Sequence, residues 1–182
     1  LLTQPFEEVE KACRAQLAFL QALGSKIIGF SEQSYSVQGQ IDTPVFGHKY
    51  VLNDAEWEKL CTGLNRLGKI AKEEYGICLT YHHHMGTVVQ TAEETARLME
   101  GTDPEYVSLL FDTGHFAYCG EDPLEMVKKH IGRIRHVHLK DIRPEVVETV
   151  KKGNKSFLDG VRMGAFTIPG DGCIDFEPIF AV

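Results

Sequence analysis

Neither a G-x-G-x-x-G nor a G-x-x-x-x-G-K-[ST] string follows any apolar run of this sequence, so the glycine-rich cradles for dinucleotides and nucleoside triphosphates are missing. No stretch approaches the ~18 apolar residues of a membrane-spanning helix, and the first residues lack the charged-then-apolar layout of a signal peptide. Export and a membrane partner are therefore not expected. The five cysteines (Cys13, Cys61, Cys78, Cys119, Cys173) include no C-x-x-C pair, which excludes a zinc clasp and fits a reduced, cytoplasmic setting. Positive charge is also short, with 19 Lys and Arg against 26 Asp and Glu, a net charge of −7 and no basic stripe. Nucleic acid and anionic lipid are poor partners for such a surface, and a metal-dependent nuclease is disfavoured for the same reason.

What is present reads as one packed domain or a piece of one, since 182 residues exceed the ~150 typical of a domain only slightly. Phe6, Val9, Cys13, Leu17, Leu20 and Leu23 recur at helical steps over residues 5–23, and Gly24 offers a stop. Residues 26–30 then form a short apolar run, as a parallel strand buried on both faces does. Asn53-Asp54 can cap a helix carrying Trp57, Leu60, Leu64, Leu67 and Ile70, and residues 77–81 read as the next strand. Helix 91–100, strand 107–111, helix 123–131 and strand 134–139 continue the alternation.

Such alternation requires a parallel sheet, open or closed into a (β/α)8 TIM barrel. The strand ends favour the barrel. Ser31-Glu32-Gln33, His82-His83-His84, Asp112-Thr113-Gly114-His115 and His136-Val137-His138-Leu139-Lys140-Asp141 put ligand-type residues after each predicted strand, where barrels build their active sites. Such barrels usually need ~250 residues. The expectation is a single partial barrel domain over 1–182, an internal slice holding about half of the strands. Residues 33–50 are long for a connection between strand and helix and are expected either to cover the site or to move freely.

Side chains alternate along a strand, so His82 and His84 share one face while His83 points the other way, toward a helix or the rim. His136, His138 and Lys140 likewise share a face, with His136 expected as a core histidine lower in the barrel. Asp112 is either a helix-entry residue or a ligand. A nitrogen and carboxylate set with open positions suits Mn, Co, Fe or Zn better than Mg or Ca. Pro169-Gly170-Asp171-Gly172 reads as a loop.

The strings Ser34-Tyr35-Ser36-Val37-Gln38-Gly39, Tyr81-His82-His83-His84-Met85-Gly86-Thr87, Asp112-Thr113-Gly114-His115, His136-Val137-His138-Leu139-Lys140-Asp141 and Pro169-Gly170-Asp171-Gly172 together closely resemble the inosose dehydratases of the xylose-isomerase-like TIM-barrel superfamily. The resemblance implies an enzyme of inositol catabolism that removes water from 2-keto-myo-inositol, with a divalent metal, Mn2+ or Co2+, and with glutathione as a further cofactor. It implies that the visible strands are the fourth to seventh of the barrel. It places the metal on Asp112, His138 and His82, the last where related isomerases commonly have Glu. Lys140, His84 and His115 become the proton-handling candidates, and Glu32 and Gln38 the substrate contacts. A homo-oligomer is compatible with this reading. The superfamily's eighth-strand Glu would lie beyond Val182, so this slice alone is expected neither to bind metal tightly nor to turn over. An isomerase or epimerase of the same superfamily is the alternative, and a catalytically silent sugar-binding fragment the alternative of another class.

Overall fold

The computed structural model describes all 182 residues. Helix α1 (Phe6–Ala22) leads into strand β1 (Ile27–Phe30), and α2 (Asp54–Tyr75) into β2 (Cys78–His82). Next come α3 (Ala92–Gly101), β3 (Val107–Asp112), α4 (Thr113–Cys119), α5 (Pro123–His130) and β4 (Ile134–His138). A small antiparallel pair, β5 (Asp141–Ile142) and β6 (Phe166–Thr167), encloses α6 (Pro144–Lys152) and α7 (Phe157–Arg162), and α8 (Glu177–Phe180) comes last. The strands of the main sheet run β1-β2-β3-β4 and are all parallel, the half-barrel arrangement expected of successive helix–strand units. No helix is long and apolar enough to cross a membrane.

Local chemistry sets the boundaries. Asn53 and Glu56 form a capping box at the start of α2, and Thr91 and Glu94 form another at α3. Gly76 ends α2 at φ 65°, a left-handed conformation that glycine adopts without steric cost. Leu17, Leu60, Leu64 and Leu67 from α1 and α2 pack on Leu79, Tyr81, Val107 and Leu109 of the sheet, all fully buried. A second cluster of Val45, Met85, Tyr118, Val150, Phe157 and Ala165 lies among the loops and short helices beyond the strand ends.

Several elements differ from the sequence reading. Helices α4, α6 and α7 and the β5–β6 pair were not expected, because each is only 2–9 residues long, too short for a clear periodicity, and α4 and α7 also contain glycine. Residues 33–50, expected either to cover the site or to move freely, are coil with turns and are docked. The Val37 N–H donates to the Gly86 carbonyl at 2.9 Å, and the Val45 N–H to the Lys155 carbonyl at 3.1 Å. Tyr35 stacks on Tyr50, and Phe46 on Tyr118. His136, on the last strand of this chain, lines a hollow of about 410 Å³ together with Ile27, Phe30, His82 and His138.

Candidate active site

Strand register assembles the site. Asp112 closes β3 directly beside His138 at the end of β4, and β2 brings His82 to the other side of β3. The Asp112 side chain is fully buried and its two oxygens have separate tasks. Oδ1 accepts the His115 N–H at 3.1 Å and so caps α4. Oδ2 meets His82 Nε2 at 3.1 Å, His138 Nδ1 at 3.3 Å and the Lys140 ammonium. Helix entry and ligand-type residue are therefore compatible roles for this one side chain.

Burial alone would raise the Asp112 pKa, but hydrogen bonding to His138 and His82 and the nearby Lys140 ammonium outweigh it and hold the carboxyl well below its ordinary range. The group is an anion in a nearly dry place, which calls for cationic partners. His84 and His115 lie alongside, with ring centroids 3.7 Å apart. Burial pushes His84 down to about 4 and His115 well below the ordinary imidazole value, so both are neutral at pH 7. Lys140 is held at its backbone by Thr113, whose hydroxyl accepts the Lys140 N–H at 3.0 Å and donates to the Lys140 carbonyl at 2.6 Å. Gly114 allows this approach, since a Cβ there would stand 2.6 Å from that of Lys140.

The structure thus brings together Asp112, His82, His138, Lys140, His84 and His115. Ligand atoms of His82, Asp112 and His115 lie within 4.8 Å of one another, close enough to share an ion. Gln38 adjoins the group through its backbone, which packs against Gly86 in the loop after β2, and its amide donates to Gln33. Glu32 is not brought to the cluster. It is buried, with one carboxylate oxygen accepting the Ser34 N–H at 2.9 Å.

Three further residues support the site: His83, read from the sequence as facing a helix or the rim, and Phe157 and Asp141, to which the sequence reading gave no role. His83 is fully buried, stacks on Phe116 at 3.6 Å, and accepts the Asp112 N–H on Nε2 at 3.2 Å. Burial lowers its pKa to about 3, which keeps that acceptor available. Phe157 lies edge-on to His84 and closes the far side of the histidine pair. Asp141 is buried too, and its carboxylate accepts the N–H groups of Ile142, Gly170, Gly172, Cys173 and Ile174. A glycine-rich loop such as Pro169-Gly170-Asp171-Gly172 has free N–H groups to offer an anion, but the sequence alone does not say that Asp141 takes them.

Residues 4–182 match the family described as xylose isomerase-like TIM barrel. The chain is 60% identical to an inosose dehydratase of Clostridium perfringens over 182 residues, which is 100% of this chain and 61% of that protein. It is 54% identical to the inosose dehydratase of Geobacillus thermodenitrificans, over 99% of this chain and 60% of the relative. The chain thus spans about three fifths of the length of these curated relatives. Among solved structures, a probable 3-DHS dehydratase, AsbF of Bacillus anthracis, aligns with a TM-score of 0.69 at 15% identity, covering 99% of this chain and 61% of the other. The IolI protein, crystallised with a zinc atom, aligns with a TM-score of 0.68 at 17% identity, covering 96% and 55%. At such low identity these two likenesses concern the fold.

Proposed function

The chain belongs to the xylose isomerase-like TIM barrel family, and from that premise we propose that it acts as a metal-dependent inosose dehydratase, removing water from 2-keto-myo-inositol. On this reading β1–β4 take the fourth to seventh places of the barrel. The observation that carries the reaction is the Asp112 carboxylate, buried and ionised, with one oxygen ringed by His82, His138 and Lys140.

The donor set fits a divalent ion. A buried anion with two imidazoles at hand is the mixed nitrogen and oxygen environment that Mn2+, Co2+ or Zn2+ takes, and in the structure the Lys140 ammonium answers the same demand for positive charge. Asp112, His138 and His82 would hold the ion, with Mn2+ or Co2+ the proposed choice. When bound, it would supply stabilisation for the negative charge that develops on the substrate's ketone oxygen as the neighbouring proton leaves. Lys140 stands close enough to Asp112 to contribute to the same stabilisation. His84 and His115, neutral and paired, face the hydroxyl that departs and handle its proton. Gln38, on the loop docked against Gly86, is assigned to a further hydroxyl of the ring.

The test is incubation of the full-length protein with Mn2+ and 2-keto-myo-inositol in deuterated water, following the dione by absorbance. Dehydration places deuterium at the new methylene of the product. Return of labelled, fully hydroxylated inosose would show an isomerase instead, and no change in either would overturn the reading.

A further inference from the structure

One residue, Met85, touches both histidines of the pair through its backbone. Its carbonyl meets His84 Nδ1 at 2.8 Å, and its N–H donates to His115 Nδ1 at 3.4 Å. A carbonyl can only accept, so His84 Nδ1 carries the proton. An amide N–H can only donate, so His115 Nδ1 is bare. In a neutral imidazole the second nitrogen has the opposite character, which leaves a lone pair on His84 Nε2 and a proton on His115 Nε2. Neither Nε2 has a protein partner, and neither is sealed from solvent as His83 Nδ1 is. Phe157 lies against both rings and Phe166 against His115, with centroids 5.1 to 5.9 Å away, so the rings are held on their far side.

We propose that Met85 locks His84 and His115 in opposite tautomers, and that the pair thereby forms a hydroxyl-selective contact for the substrate. A hydroxyl donates to His84 Nε2 and accepts from His115 Nε2–H at once, whereas a ketone or ether oxygen satisfies only the second. A ring carbon presented here must therefore carry a hydroxyl. The identity of that hydroxyl as the departing one rests on the function proposed above; the tautomers do not. The assignment also withdraws His115 from the metal ligands, although its distance to Asp112 and His82 would admit it. One nitrogen is occupied by the Met85 N–H, and the other carries a proton and has no lone pair for an ion.

Long-range 1H–15N correlation spectra of the full-length protein, labelled with 15N-histidine, test the proposal directly. Signals are assigned by loss in His84→Gln and His115→Gln. Expected are a protonated Nδ1 with a bare Nε2 for His84 and the reverse for His115. The same tautomer in both rings, or averaging between tautomers in either, overturns the proposal. A second measurement uses His115→Phe in the full-length protein, which keeps a ring against Phe157. It should weaken binding of 2-keto-myo-inositol about tenfold, as loss of one hydrogen bond does, while Co2+ affinity stays unchanged. Lost Co2+ binding would make His115 a ligand and sink the proposal. Absence of dehydration with the tautomers as stated would count against the functional reading alone.

Discussion

Replacing Asp141 by Asn keeps the shape of a fully buried side chain and removes half of its accepting power. The carboxylate takes Ile142, Cys173 and Ile174 on Oδ1 at 2.8, 2.9 and 3.0 Å, and Gly170 and Gly172 on Oδ2, both at 3.0 Å. However the amide turns, its NH2 group faces at least two backbone N–H donors. Each buried donor left unpaired costs ~1–3 kcal/mol, so Asp141→Asn should lose roughly 2–6 kcal/mol. In a chain of this length that lowers Tm by roughly 5–20 °C, read by circular dichroism at pH 7. The effect should depend on pH. Burial acts to raise the Asp141 pKa, but the N–H groups of Ile174, Ile142, Gly170 and Gly172 outweigh it and hold the folded value below the ordinary one. A depressed carboxyl pKa contributes stability that is present above the unfolded value of ~3.9 and is lost as pH falls toward the folded one. The gap between wild type and Asp141→Asn should therefore narrow below about pH 4. A variant within ~0.5 kcal/mol of wild type at pH 7 would refute the view that this carboxylate holds residues 170–174 in place.

Lys140→Met keeps the stem and deletes the ammonium beside Asp112; metal should still bind, while dehydration by the full-length protein slows by roughly two to four orders of magnitude. Near-wild-type turnover would return Lys140 to the rim as a structural residue. His83→Phe retains a ring on Phe116 but leaves the buried Asp112 N–H unpaired, a loss of ~1–3 kcal/mol in urea denaturation, with His83→Gln recovering part of it. Gly114→Ala puts a methyl group against Lys140 Cβ and Phe166, and should cost ~1–3 kcal/mol, detected as a lower urea midpoint.

The four strands and the helices α1, α2, α3 and α5 were legible because each repeats its pattern over several turns or fills a strand with apolar residues. Val107–Asp112 is buried at every position, the mark of a central parallel strand, and Asn53 and Thr91 announce their helices by capping boxes. The polar strand ends were legible in the same way, since alternation put His82 and His84 on one face and His138 and Lys140 on another. What sequence could not carry was the sharing of one atom. Nothing in the spacing says that Asp112 divides its oxygens between a helix cap and a cluster, or that His83 turns back to bind the Asp112 N–H. Both depend on α4 beginning immediately after β3, a feature of tertiary packing.

The central claim is that the charge on Asp112 gathers the metal and the reacting groups, and Asp112→Asn in the full-length protein tests it most directly. Asparagine preserves volume and can still cap α4 through its carbonyl oxygen, so the fold should survive with a denaturation midpoint close to wild type. Measured side by side, bound Mn2+ should be lost and dione formation from 2-keto-myo-inositol should fall by at least ~10³-fold, because the neutral amide neither retains the ion nor holds the cationic partners. A folded Asp112→Asn variant that binds Mn2+ and forms dione within about threefold of wild type would contradict the account.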